Sequence, residues 1–211
     1  MVLHWDILDA KRTAILPLLS PLTQQGFYLA GGTGLALQLG HRDSIDFDFF
    51  IASDFDDLAL RNLVESVFEA HTIAFTQQGK NTLSCLVDES IQLSFLGYEY
   101  PLVAPLVQTE YFPIASVEDI GCMKLSAITG RSVEKDYVDL YRILKQLPLA
   151  KLLSLSEQKH PSLDASLILK SLVYFDDVLQ EEILYKEGYE VSFAEIQEFL
   201  NEIVTSYFKG S

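Results

Sequence analysis

The sequence has little of what zinc-binding, secreted and membrane proteins need. It contains only two cysteines, Cys85 and Cys122, among 211 residues, and neither has another Cys or His at a metal-binding spacing. We therefore expect neither a zinc site nor a disulfide, but two buried thiols. The sequence has no apolar run long enough to cross a membrane, and its N-terminus lacks the basic and apolar stretches of a signal peptide. These absences predict a cytoplasmic protein.

Basic residues are also scarce. The chain has 15 Lys and Arg against 30 Asp and Glu, which gives a net charge of −15. Such a charge repels nucleic-acid phosphates at long range, so an RNA or DNA substrate would need a local basic patch. The basic residues concentrate between Lys124 and Lys170, whereas the chain after Lys170 is strongly acidic and is expected to be a solvated face or a surface for a basic partner.

The remaining composition and the hydrophobic periodicity predict an α/β protein. With 49% hydrophobic residues the chain can form a substantial core. The patterns predict extended segments at 26–30, 44–51, 72–77, 82–87 and 91–97, with a turn at 88–90. They predict helices at 4–20, 33–39, 56–70, 117–129, 134–146, 162–181 and 192–207, with Pro17 and Pro21 ending the first and Gly40 ending the second. We therefore divide the chain into an α/β core, residues 1–115, and a helical region, residues 116–211.

A glycine pair stands where the first predicted strand meets the second helix. Gly31 and Gly32 let the backbone approach a ligand without a Cβ in the way, and Thr33 adds a hydroxyl. The start of the helix offers unpaired N–H groups, which suit a phosphate. A Gly-Gly pair by itself more often marks a tight turn.

Two aspartates follow on the next predicted strand. Asp46 and Asp48 are two residues apart, so their carboxylates point to one face while Ile45, Phe47 and Phe49 point to the other. Two like charges on an apolar strand need compensation, and Mg²⁺ with oxygen ligands is the natural candidate. The alternative is an exposed strand whose acids face water.

The two features together resemble a known signature. A Gly-Gly turn, a helix and a strand bearing Asp-x-Asp are similar to the motif of the DNA-polymerase-β-like nucleotidyltransferase superfamily. The His41-Arg42-Asp43-Ser44 lead-in and the Phe49-Phe50 that follows resemble the AbiEii-type toxin branch. A second stretch carries the same resemblance: Lys124, Arg131, Lys135-Asp136, Asp139-Leu140-Tyr141 and, further on, Leu172 to Asp177. The resemblance covers residues from about 25 to 205.

This resemblance implies a fold and a set of site residues. The fold would be a polymerase-β-like core with a small mixed sheet, followed by helices. Gly31, Gly32 and Thr33 would bind the nucleotide phosphates, with Arg42 and Arg131 nearby. Asp46 and Asp48 would hold Mg²⁺ and act in catalysis with Lys124, and Asp136 or Asp139 would complete the active site. From the residues alone, Arg42 could instead pair with Asp46 or Asp48, and Lys124 could be a plain surface lysine.

One departure from the resemblance bears on activity. Superfamily enzymes often carry a third carboxylate on a neighbouring strand, and Ser94 occupies the matching position here. Two hypotheses follow. In the first, Asp136 or Asp139 supplies the acid, and the protein transfers a nucleotide from an NTP to an RNA, such as a tRNA, or to a protein. It would then be the toxin of a toxin–antitoxin or phage-defence system, with an antitoxin as partner. In the second, the chain is a degenerate module that binds nucleotide or a protein partner.

Overall fold

Five strands form one mixed sheet in the computed structural model, which describes residues 2–210. The strand order is β1-β2-β5-β4-β3. Strands β2 and β5 run parallel to each other, and the other neighbouring pairs are antiparallel. The strands are β1 Tyr28–Leu29, β2 Phe47–Ile51, β3 Ile73–Gly79, β4 Thr82–Val87 and β5 Ile91–Gly97. The expected mixed sheet is confirmed.

Most of the helices lie where the hydrophobic periodicity predicts them. A short 3₁₀ helix, Trp5–Ile7, precedes the first. The α-helices are α1 Ala10–Thr23, α2 Gly31–Leu39, α3 Asp57–Val67, α4 Val117–Gly130, α5 Glu134–Leu144, α6 Leu149–Lys159, α7 Ala165–Leu172 and α8 Phe193–Gly210. Gly40 ends α2 in the left-handed conformation, at φ 64°, as predicted. The described residues include no helix that is long and apolar enough to cross a membrane.

Two predictions about the helices are wrong, and one helix was not predicted. Pro17 and Pro21 lie inside α1 and do not end it. Each proline removes one backbone hydrogen bond, but α1 also buries four large apolar side chains against the sheet: Ile15, Leu16, Leu19 and Leu22. Helix α6 was not predicted, and α7 ends at Leu172, well short of residue 181. Beyond it, residues 173–191 form an irregular segment.

Two apolar clusters pack around the sheet. One joins α1 and α3 to the inner side of β2, β4 and β5. The other joins α2 to the helices that follow residue 116. Along β2 the burial alternates, with Phe47, Phe49 and Ile51 inside, so Asp48 and Phe50 point to the opposite face as predicted. Asp46 precedes β2, and Ile45 is exposed. The boundary near residue 115 stays a prediction.

Two smaller predictions are confirmed. Asp88 and Glu89 adopt positive φ angles of 48° and 58° in the turn between β4 and β5. Cys85 and Cys122 are free and buried, and burial raises the pKa of each thiol to about 12. Both sulfurs therefore act as apolar packing groups.

Candidate active site

The glycine turn is shaped by its contacts with two charged side chains. Gly31 has φ 62°, and a Cβ at this position would lie 2.9 Å from Oδ2 of Asp48. A Cβ on Gly32 would overlap with Nη2 of Arg42. Ala30, at the N-cap of α2, gives no side-chain cap, so the first N–H groups of this nine-residue helix stay free for a ligand. The glycines thus allow an uncapped helix start to touch the carboxylate strand.

Asp48 is a half-buried carboxylate close to a second negative charge. Burial first, and then the charge of Asp46, raise the pKa of Asp48. Its neighbour on the parallel strand β5 is Ser94, paired with Asp48 in register. The position inferred for a third carboxylate therefore does lie beside Asp48, and a serine occupies it. At this position of the sheet, the aspartate pair therefore has a serine beside it and not a third acid.

Thr33 is buried and its hydroxyl is engaged within the protein. The hydroxyl donates to the backbone carbonyl of Asp46 and lies 2.8 Å from the Ser44 hydroxyl. These contacts join the first turn of α2 to the chain that enters β2. Thr33 thus fixes the position of Asp46, which is a different contribution from the phosphate contact that the resemblance implies.

Lys124 is buried between two carboxylates of α5. Its Nζ lies 2.7 Å from Oδ1 of Asp136 and 2.7 Å from Oδ2 of Asp139. Burial by itself would lower the pKa of Lys124, but Asp139 and Asp136 outweigh it and raise the pKa. Asp136 also accepts from Nε of Arg131 at 3.0 Å. Lys124 is therefore a charged lysine fixed in one position, so the alternative of a plain surface lysine does not hold.

Asp139 holds together a second group of side chains behind Lys124. Arg42 donates to it from Nε and Nη2, both at 2.9 Å, and His41 Nε2 lies 2.9 Å from Oδ1. Arg42 is thus in a structural ion pair, but its partner is Asp139 in a two-point contact and not Asp46 or Asp48. Burial would raise the pKa of Asp139, but Lys124 and Arg42 hold it well below its usual range. Burial lowers the pKa of His41, although its contact with Asp139 opposes that shift.

These elements meet at one cleft of about 330 Å³. Eight of the residues expected at the site line it, and they are Gly32, Thr33, Arg42, Asp46, Asp48, Lys124, Arg131 and Asp136. Gly31 lies behind Asp48, and Asp139 is fully buried behind Arg42 and Lys124. Of the two later aspartates, the one that reaches the cleft is Asp136.

The cleft also contains residues that sequence reasoning did not place there. Lys135 lines it, and the irregular segment after α7 returns to it with Glu181, Glu182, Ile183 and Leu184. Lys135 could have been found from its position next to Asp136. The acidic Glu181-Glu182 pair gives no such signal, because the acidic chain after Lys170 predicts a solvated face or a surface for a basic partner and not a place in the cleft.

Comparison of this sheet and its helices with solved structures shows that the chain has a nucleotidyltransferase fold. MenT4, a nucleotidyltransferase toxin from Mycobacterium tuberculosis, superposes with a TM-score of 0.60 at 17% identity, covering 91% of this chain and 80% of its own. JHP933 from Helicobacter pylori superposes with a TM-score of 0.58 at 18% identity, covering 99% and 94%. At these identities the likeness shows the fold.

The sequence comparison then identifies the family. The family model "Nucleotidyl transferase AbiEii toxin, Type IV TA system" matches residues 18–206. An uncharacterized protein of Aquifex aeolicus is 36% identical over 190 residues, covering 87% of this chain and 89% of that protein. The chain belongs to the AbiEii family of nucleotidyltransferase toxins of type IV toxin–antitoxin systems.

Proposed function

We propose that this chain is a Mg²⁺-dependent nucleotidyltransferase. It would transfer a nucleotide from an NTP to a hydroxyl of an RNA, such as a tRNA, or of a protein, as the toxin of a pair with an antitoxin. The observation that carries the proposal is the meeting of Asp46, Asp48, the free start of α2 and Lys124 at one cleft. The family membership supports the same reaction class.

The carboxylate pair suits a divalent cation. Asp46 and Asp48 share the cleft, and the raised pKa of Asp48 reflects burial and a like charge that no side chain fully compensates. Hard cations prefer carboxylate oxygens, and Mg²⁺ usually takes only one or two of them and completes its shell with phosphate oxygens and water. Asp46 and Asp48 would hold the ion, which when bound supplies positive charge to the phosphates.

The chain's own residues would bind and orient the nucleotide. The free N–H groups around Gly31 and Gly32, at the start of α2, would offer a partial positive charge to a phosphate. Lys124 and Arg131 place full charges beside it, each held by Asp136. Because both oxygens of Asp136 contact cations, we assign it the positioning of those cations and not proton removal. Asp139 would position Lys124 and Arg42 from behind.

A second candidate function follows from Ser94. A serine in register with Asp48 cannot bridge a metal as a carboxylate does, which favours a degenerate module that binds nucleotide or a protein partner. The two functions differ in whether label is transferred covalently.

The test is incorporation of α-labelled NTPs by the purified protein with Mg²⁺, using total RNA and total protein as acceptors. The cleft variant is Asp46→Ala/Asp48→Ala. The matched control is Asp176→Ala/Asp177→Ala, which removes two exposed carboxylates outside the cleft lining. We expect labelling by wild type and control, and none by the cleft variant. If no NTP labels either fraction with wild type, the degenerate module is the better account.

A further inference from the structure

Lys135 and Glu181 form an ion pair at the mouth of the cleft. Lys135 Nζ lies 2.9 Å from Glu181 Oε2, and the two side chains are 40% and 42% exposed. Both residues line the cleft that contains Asp46, Asp48 and Lys124. An exposed pair of this kind contributes little to stability, so either partner can be diverted to another ligand at small cost.

Two other cations of the cleft are more firmly committed. Arg42 makes a two-point contact with the buried Asp139 and donates to the carbonyl of Asp43 through Nη1. Lys124 bridges two buried carboxylates. Arg131 also donates to Asp136 from Nε, but its side chain is 65% exposed. Moving Arg42 or Lys124 away would weaken contacts with buried carboxylates, whereas Lys135 leaves only a partly exposed glutamate. Lys135 is therefore more available to an incoming phosphate than Arg42 or Lys124.

Backbone contacts keep Glu181 at this position. We define the strap as residues 179–186. At one end Leu179 N donates to the carbonyl of Ser132 and Glu134 N to that of Leu179. At the other end Asp43 N donates to the carbonyl of Leu184, and Lys186 pairs with Asp43 at 2.7 Å. Since both ends are fixed beside the cleft, Glu181 stays next to Lys135.

We propose that Lys135 is a further nucleotide-binding residue, held by Glu181 until a triphosphate arrives. The inference rests on the proposed function. Lys135 would leave Glu181 for the outer phosphates, which carry more charge than a single carboxylate. Glu181 then competes with the nucleotide and weakens its binding, so the strap sets the affinity for the triphosphate.

The test measures binding and does not depend on transfer. Isothermal titration calorimetry with α,β-methylene analogues of the four NTPs and Mg²⁺ identifies the analogue that wild type binds best. Lys135→Met should weaken its binding about fivefold or more, because a charge-assisted contact is lost. Glu181→Gln should tighten binding about threefold, because the competing carboxylate is removed. In the Lys135→Met background, Glu181→Gln should change nothing.

Two control variants separate this pairing from general charge effects. Lys151→Met removes an exposed lysine of α6 that does not line the cleft, and Glu182→Gln removes the neighbouring acid on the strap. The inference is overturned if Lys135→Met weakens binding no more than Lys151→Met does. It is also overturned if Glu181→Gln still tightens binding in the Lys135→Met background, or if Glu182→Gln tightens it equally. All three results leave the proposed function intact. Absence of binding by wild type would overturn both.

Discussion

Replacing Asp139 should destabilise the protein far more than replacing Asp136. Asp139 is fully buried and its carboxylate makes four contacts of 2.9 Å or less, with Arg42, Lys124 and His41. Asp139→Asn leaves Arg42 without a carboxylate, and breaking a buried pair costs about 3–5 kcal/mol. For a chain of this size each kcal/mol shifts Tm by roughly 2–4 °C, so we expect a decrease on the order of 10 °C.

Asp136→Asn is the matched variant, because it removes the same charge one helical turn away. Lys124 keeps its ion pair with Asp139, and Arg131 is 65% exposed and can be hydrated. We therefore expect the free energy of unfolding to fall by only about 1–2 kcal/mol. Urea and thermal unfolding monitored by circular dichroism measure both. The reasoning is refuted if Asp139→Asn costs less than about 1 kcal/mol, or if Asp136→Asn costs as much.

The pH dependence of the same variant has a definite sign. Since the folded-state pKa of Asp139 is depressed, its stabilisation is present above the unfolded pKa near 4 and is lost as the pH falls through the folded value. The difference in free energy of unfolding between wild type and Asp139→Asn should therefore stay constant from pH 5 to 8.

Two further predictions concern the glycine turn and the carboxylate pair. Gly32→Ala should cost about 1–3 kcal/mol of stability, because Arg42 is held by Asp139 and cannot move away from the new methyl group. Gly130→Ala is the control, since a Cβ there would meet open space. Equal unfolding midpoints for the two variants would contradict the packing argument. Asp48→Asn should raise Tm without Mg²⁺ by the equivalent of up to about 1 kcal/mol, because it removes a half-buried charge beside Asp46. Because the folded-state pKa of Asp48 is raised, this gain should grow as the pH rises through that value and vanish at low pH, and added Mg²⁺ should stabilise wild type only. A Tm at pH 7 no higher than that of wild type would count against it.

Local patterns predicted the parts of the site that depend on neighbouring residues. The two-residue period of a strand placed Phe47 and Phe49 inside and Asp48 on the cleft side. The resemblance to the superfamily, together with the predicted strand at 91–97, placed Ser94 on the strand next to the aspartates, and it pairs with Asp48. Gly40 ended α2 because its left-handed conformation suits glycine.

Contacts between distant segments could not be predicted in this way. Arg42 pairs with Asp139, 97 residues further on, so its partner depends on how α5 packs against α2. Residues 181–184 reach the cleft through an irregular segment that has no periodicity to interpret. For α1, local sequence shows only the hydrogen bonds that two prolines remove. The burial of apolar side chains that offsets this loss depends on tertiary packing. Helix α6 did carry a signal, since Leu149, Leu152 and Leu153 have helical spacing.

The central claim is that this cleft transfers nucleotidyl groups, and the position of the label in the NTP tests it most directly. The purified protein is incubated with Mg²⁺, acceptor and the same NTP labelled at either the α- or the γ-phosphate. We predict that the acceptor retains label from the α-phosphate only and that the γ-label leaves as pyrophosphate. Asp46→Ala/Asp48→Ala should abolish both the labelling of the acceptor and the release of pyrophosphate. Label transferred from the γ-phosphate, or α-label transferred equally by the double variant, would contradict the account.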